Sequence, residues 1–270
     1  MSAYTVIGAR GFIGSRLTAA LKAEGARVYE PIRDDPDLLS RDLGVVFYCA
    51  GLTADFDVRP FDAVEAHVEL LGRVLRSRRF ERLVYLSSTR VYDSLGAEGG
   101  REDDLLRFDV TAPRNVYDLS KALGENLTLA RSEGRGVVAR LANVFDWSED
   151  AGGFLSDLMK RARRERQIVL PSAPQAGRDY IHVNDVIAAL PVLAGAGEGV
   201  VNIASGVTVS NAQVAEVMVD AGWTLTLTGQ GAPHSPVCDI AKLRALGVSP
   251  RDPRGVIGEA LRSPGFFQGS

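Results

Sequence analysis

Two side chains able to exchange a proton with a substrate hydroxyl stand four positions apart in Tyr117-Asp118-Leu119-Ser120-Lys121. On a helix that spacing puts Tyr117 and Lys121 on one face. A phenol, with an unperturbed pKa of about 10, is a poor base at neutral pH. A neighbouring ammonium stabilises its phenolate and makes the exchange feasible. A second group of hydroxyls lies in Leu86-Ser87-Ser88-Thr89-Arg90-Val91-Tyr92, at the end of an apolar run. A hydroxyl there can hold a reacting oxygen, or the cluster can simply terminate a strand. A third element is Gly8-Ala9-Arg10-Gly11-Phe12-Ile13-Gly14. There Gly8 allows a tight turn, Gly11 lets the backbone approach a pyrophosphate, and Gly14 lets a helix pack close to a sheet. The N–H groups of the helix that follows suit a phosphate.

These groups need a scaffold, and the pattern supplies one. A short apolar run at 4–7 precedes the glycine turn. Ile13, Leu17, Ala20 and Leu21 then keep helical phase as far as Gly25. Strands are expected at 27–32, 45–49, 83–87 and 137–144, and helices at 61–79 (Val64, Val68, Leu71 and Leu75 in phase) and 115–131. The alternation predicts an α/β fold, a Rossmann-like doubly wound parallel sheet with right-handed connections. Beyond about residue 150, glycines and prolines break the pattern into shorter pieces. The expected division is a dinucleotide-binding domain over 1–150, with parts of 180–205 returning to it, and a smaller substrate-binding lobe over 151–270.

Composition narrows the class. The chain has 270 residues, 46% apolar and 24% charged, an ordinary globular balance, and its net charge of −3 exerts no pull toward nucleic acid. The basic run at 160–166 reads as a solvated helix face. Cys49 and Cys238 make no disulfide framework, Cys49 reads as a buried thiol, and two cysteines with three scattered histidines give no metal-ligand spacing. With no signal-peptide pattern and no membrane-length apolar run, a cytoplasmic protein is expected.

An acidic reader of the ribose 2′-hydroxyl belongs at the end of the second strand. Ile32 and Arg33 stand there, with Asp34 and Asp35 just after. Arg33 and Arg10 together could clamp a 2′-phosphate, which favours NADP over NAD; alternatively Arg33 pairs with Asp34 or Asp35.

The sequence resembles the extended short-chain dehydrogenase/reductases, the NAD(P)-dependent nucleotide-sugar epimerase/dehydratase/reductase group, over nearly its whole length. The resemblance rests on Gly8-x-x-Gly11-x-x-Gly14, Ser87-Ser88-x-x-Val91-Tyr92, Tyr117-x-x-x-Lys121, Arg140-Leu-Ala-Asn143-Val-Phe, Arg178-Asp-Tyr-Ile-His-Val-Asn-Asp185 and Asn202-Ile-Ala-Ser-Gly206. It implies that Tyr117 is the acid/base and that Lys121 holds the nicotinamide ribose and tunes Tyr117. It implies that Ser88 binds the reacting oxygen, with Thr89 the neighbour that could replace it. Cofactor contacts are expected from Gly8, Arg10, Gly11, Phe12, Ile13, Gly14, Arg33, Ala50, Gly51 and Ser87, besides Tyr117 and Lys121. Asn143 and Arg178 match positions that contact a nucleotide-sugar diphosphate, although Arg178 could instead pair with Asp179 or Asp185.

The departures matter as well. His67 stands where an asparagine usually completes a catalytic tetrad, and either bridges to water or substrate or only packs. Pro233-His234-Ser235-Pro236 replaces a second diphosphate-binding arginine, leaving His234 as the possible substitute. The adenine neighbours fall at Asp37 and Leu38. Relatives that dehydrate the sugar carry acidic residues just after the catalytic Ser/Thr, where this chain has Thr89 and Arg90. Elimination is therefore disfavoured and 4-keto-sugar reduction favoured. Epimerisation with retained NAD is the alternative, and a non-catalytic NADP-binding sensor is the reading from another class. The resemblance also implies a homodimer, formed through the helices at 61–79 and 115–131.

Overall fold

The computed structural model describes residues 3–52, 55–231 and 236–267. In chain order the elements are β1 (Ala3–Ile7), α1 (Phe12–Ala23), β2 (Arg27–Tyr29), β3 (Val45–Tyr48), α2 (Pro60–Val64), α3 (Leu70–Ser77), β4 (Arg82–Ser88), α4 (Asn115–Arg131), β5 (Gly136–Leu141) and β6 (Asn143–Phe145). Then follow α5 (Phe154–Ala162), β7 (Gln167–Leu170), β8 (Gly177–His182), α6 (Val183–Ala196), β9 (Gly199–Ile203), β10 (Thr208–Ser210), α7 (Asn211–Asp220), β11 (Thr224–Leu227), α8 (Ala241–Ala245) and α9 (Pro253–Arg262). A 3-10 segment, Thr89–Glu98, continues directly from β4.

Six strands form one all-parallel sheet in the order β2-β1-β3-β4-β5-β9. Alternating side chains bury both of its faces, as a parallel sheet requires. Val84, Leu86, Val137 and Ala139 pack with Leu17 and Leu21 of α1 and with Val186, Leu190 and Leu193 of α6. Leu83, Tyr85 and Val138 pack on the other side with Leu71, Val74 and Leu75 of α3. A separate apolar cluster joins α5, β8, α7 and α9 through Leu155, Met159, Tyr180, Val214, Met218 and Ile257. Two small sheets, β10-β8-β6 and β11-β7, accompany it. Cys238, Ile240 and Leu243 return to the first cluster, a docking that the sequence pattern did not announce.

Strand order reverses at β1, which pairs with β2 on one side and β3 on the other. A crevice opens beyond the carboxyl ends of strands at such a reversal, and ligands bind there in open α/β sheets.

Three elements differ from the sequence expectation. The strand expected over 27–32 ends at Tyr29, because Pro31 cannot donate to a ladder and Ile32 is 54% exposed. The strand expected over 137–144 is two strands in different sheets, dividing at Ala142. The helix expected over 61–79 is broken by a π-turn, Glu65–Glu69, between α2 and α3. The wide turn shifts the buried set to Ala63, His67, Leu71, Val74 and Leu75. No helix among the described residues is long and apolar enough to cross a membrane.

Candidate active site

The glycine turn is shaped by close backbone approach. Gly8 has φ +87°, and a Cβ there would lie 2.7 Å from the Ala50 nitrogen; a Cβ on Gly14 would lie 2.2 Å from the Gly8 carbonyl oxygen. Gly11 N donates to Gly8 O at 3.0 Å and stands as the N-cap of α1, which has neither a side-chain cap nor an acidic residue in its first turn. The N–H groups of Phe12 and Ile13 therefore face the crevice without an intrahelical acceptor. Their side chains are engaged elsewhere: Ile13 packs on the core, and Arg16 lies over the Phe12 ring.

A cavity of about 400 Å³ continues from this turn, lined by Gly8, Arg10, Arg33, Leu38, Ala50 and Gly51 among others. Arg33 forms no ion pair with Asp34 or Asp35, and neither it nor Arg10 is paired among the described residues. Leu38 lines the cavity, whereas Asp37 is exposed outside it. The uncapped helix start, the cradle that a Cβ would fill and the two unpaired guanidinium groups together fit a dinucleotide.

Gly51 adjoins α4: a Cβ on it would lie 3.2 Å from Lys121 Nζ. Tyr117 and Lys121 occupy the face of α4 that packs on β4, and both are nearly fully buried, at 2% and 4% exposure. Lys121 Nζ donates to Leu86 O at 2.9 Å and lies over the Tyr85 ring. Burial lowers its pKa to about 8, against the pull of Glu125 and Cys49. Tyr117 sits under Phe56, edge-on to His67. Burial raises its pKa, while the Ser88 hydroxyl and the charge of Arg90 draw it back down. Arg90, noted from the sequence only because it is not a carboxylate, thus places a positive charge beside the phenol. Asp118, buried beside Tyr117, is pushed up to about 6 by desolvation.

The three hydroxyls after Leu86 part company. Ser88 Oγ accepts from Arg90 N at 3.2 Å and lies near enough to Tyr117 to lower its pKa. Thr89 is buried and its hydroxyl lies by the Cys238 thiol, whose pKa it lowers. Ser87, expected at the cofactor, is 4% exposed and donates to Glu125 Oε1 at 2.5 Å. Its side chain belongs to a buried network that the sequence reading missed. Arg140 donates to Glu125 from Nε and Nη2 (2.9 and 2.6 Å) and from Nη1 to the Tyr92 hydroxyl (2.7 Å), which donates to Asn202 Oδ1 (2.9 Å). The signals existed: Glu125 lies one turn after Lys121 on the same face, and Arg140 opens the Arg140-x-x-Asn143 motif.

His67, allowed from sequence as a substrate contact, does not reach the cleft. It is fully buried at the π-turn, and both ring nitrogens have protein partners. Leu52 N donates to Nε2 at 3.2 Å, so the proton resides on Nδ1 and is donated to Ser120 Oγ at 2.8 Å. Ser120 Oγ in turn donates to Tyr117 O at 2.9 Å. Through these bonds His67 ties the loop after β3 to α4. Asn143 donates from Nδ2 to Asp179 O at 2.9 Å. Arg178 is half-buried on β8 and pairs with neither carboxylate proposed for it, since Asp179 accepts from Ser205 and Gly206 and Asp185 accepts from Arg251. His234 lies outside the described residues.

A model described as the NAD dependent epimerase/dehydratase family matches residues 4–204, from β1 through β9. The chain belongs to that family. It is an NAD(P)-dependent enzyme of the short-chain dehydrogenase/reductase type, and the sensor alternative gives way. A dTDP-4-dehydro-6-deoxy-D-allose reductase of Streptomyces bikiniensis is 24% identical over 258 residues, 79% of each chain. Among solved structures, MoeE5 in complex with UDP-glucuronic acid and NAD aligns with a TM-score of 0.78 and 24% identity, covering 95% of this chain and 96% of that one. RMD from Pseudomonas aeruginosa, complexed with NADPH, aligns at 0.76 and 22% identity, covering 99% and 97%. The two structural likenesses fix the family member's fold; its cofactor is a nicotinamide dinucleotide.

Proposed function

We propose that this enzyme reduces the 4-keto group of a nucleotide-activated deoxy sugar with NADPH. The observation that carries the reading is the meeting of Tyr117 and the Ser88 hydroxyl at the carboxyl end of β4, with no carboxylate at Thr89 or Arg90 to drive elimination. The bound dinucleotide supplies the hydride. The Ser88 hydroxyl orients the carbonyl oxygen and Tyr117 gives it a proton, leaving the alcohol. Lys121, whose ammonium has donors to spare beyond Leu86 O, holds the nicotinamide ribose. Arg10 and Arg33, unpaired in the cavity, favour the 2′-phosphate of NADP. Asn143, Arg178 and His234 are assigned to the substrate diphosphate. Exposed apolar residues on α2 and α4 (Phe61, Leu123 and Leu129) suit a homodimer, which sedimentation at micromolar concentration would reveal.

The deciding assay is NADPH consumption with dTDP- and UDP-linked 4-keto-6-deoxy sugars. Tyr117→Phe is expected to lower kcat by ~10²–10⁴-fold with NADPH binding retained. Arg33→Ala should weaken NADPH roughly tenfold or more and leave NADH unaffected. Isomerisation of a sugar nucleotide without added cofactor would overturn reduction in favour of epimerisation.

A further inference from the structure

Arg90 carries a positive charge beside Tyr117 that no ion pair among the described residues takes up. Its guanidinium carbon lies 4.8 Å from the Tyr117 ring centroid and 4.9 Å from that of Phe56, and the two rings are 5.0 Å apart. The position is anchored by the backbone, because Arg90 N donates to Ser88 Oγ at 3.2 Å where the 3-10 segment leaves β4. The Phe56 ring and the face of Tyr117 itself therefore flank the guanidinium, while the Ser88 hydroxyl ties down its backbone. Lys121, one turn further along α4, donates to Leu86 O and lies by the Tyr85 ring.

The remaining groups that face Tyr117 do not replace this charge. Asp118, on the same helix, and Asp93, on the 3-10 segment, oppose a phenolate. Arg114 reaches both, at 2.8 Å from Asp93 and 4.0 Å from Asp118. His67, edge-on from the π-turn, is neutral, its pKa pushed down to about 2 by burial. Tyr85, on β4, is a buried and protonated phenol, its pKa raised by desolvation.

We propose that Arg90 is a positioning residue for proton transfer, supplying a second positive charge, beside that of Lys121, that steadies Tyr117 once its proton has left. The proposal rests on Tyr117 being the acid. In the reductive direction the carbonyl carbon gains a hydride and the oxygen gains the phenol proton, so the products are an alcohol and a tyrosinate. That tyrosinate stands against the guanidinium until solvent reprotonates it.

The test reads Tyr117 itself and needs no turnover. Full-length protein carrying ¹³Cζ-tyrosine is titrated with and without saturating NADP⁺, and the Tyr117 signal is assigned by its loss in Tyr117→Phe. Arg90→Gln and Arg90→Met, each checked for folding by its amide spectrum, are expected to raise the Tyr117 midpoint by roughly one pH unit or more. Arg90→Lys, which keeps the charge, should hold it close to wild type. The proposal is overturned if the neutral Arg90 variants leave the midpoint in place, if Arg90→Lys shifts it as far as they do, or if wild-type Tyr117 stays protonated to the alkaline limit of folding as the neutral variants do. Failure of the reductase assay would leave this titration readable, so the two conclusions separate.

Discussion

Ser87 and Ser88 are adjacent and chemically identical, yet they take different partners: the Glu125 carboxylate for one, the Tyr117 phenol for the other. Replacing each by alanine should therefore have opposite signatures. Ser87→Ala leaves a buried carboxylate oxygen short of a donor, which costs about 1–3 kcal/mol of unfolding free energy with cofactor affinity unchanged. Ser88→Ala should leave stability within about 0.5 kcal/mol and lower turnover. Urea unfolding and steady-state rates on the same two proteins check both halves. Much at this scale was legible in the sequence. Tyr117, Lys121 and Ser88 could be singled out because their chemistry fixes both residue type and spacing. The fate of Ser87 could not, because Glu125 lies 38 positions away and only the packing of α4 on β4 joins them. His67 was half-legible: the register marked the position, but its burial depends on a helical turn that carries one extra residue.

That extra residue belongs to the scale of elements. Apolar phase predicts a helix over 61–79 and cannot reveal a π-turn inside it, since the residues on either side each keep their own periodicity. By contrast the helix over 115–131 has the expected bounds, because one face (Tyr117, Ser120, Lys121, Gly124, Glu125, Thr128) is buried along its length. Gly124 lets that face approach β4 and the π-turn. A Cβ on it would lie 2.2 Å from the Tyr85 hydroxyl and 2.9 Å from the His67 carbonyl oxygen. Because one of those neighbours is backbone, Gly124→Ala should push α4 outward, destabilising the protein by about 1–3 kcal/mol. It should also lower kcat by displacing Tyr117 from Ser88. A Gly124→Ala protein with wild-type melting and rate would mean that α4 is not held where it is described. The split at Ala142 was illegible for a related reason: 137–144 reads as one apolar run, and only the partner strands tell that two sheets share it.

At the scale of the whole molecule, the doubly wound order follows from the βαβ alternation, whereas the docking of Cys238, Ile240 and Leu243 back onto the first core has no local signal. Stability against acid is also set at this scale. The folded-state pKa of His67, about 2, lies below the ordinary histidine value of 6.5. Its contribution is therefore complete above 6.5 and is lost as pH falls from there toward 2. Asp118 and Asp179 act oppositely: their folded values of about 6 exceed the usual 3.8, so they favour the fold at low pH and lose that contribution as pH rises from 3.8 to 6. A His67→Gln protein should accordingly show a stability deficit against wild type that shrinks on acidification from pH 7 to 5, by at most about 1.4 kcal/mol per pH unit. A deficit that is constant with pH would contradict a neutral buried imidazole.

The shared run at 136–145 has a mechanical consequence. β5 is clamped between β4 and β9, Ala142 N donates to Ile203 O, and β6 leaves at once to pair with β8. No slack residue lies between the two sheets at this seam, so they cannot swing apart like the leaves of a door without breaking ladder bonds. Opening a way to the buried Tyr117 then falls to rotamers and loops rather than to a swing of one sheet against the other at this seam.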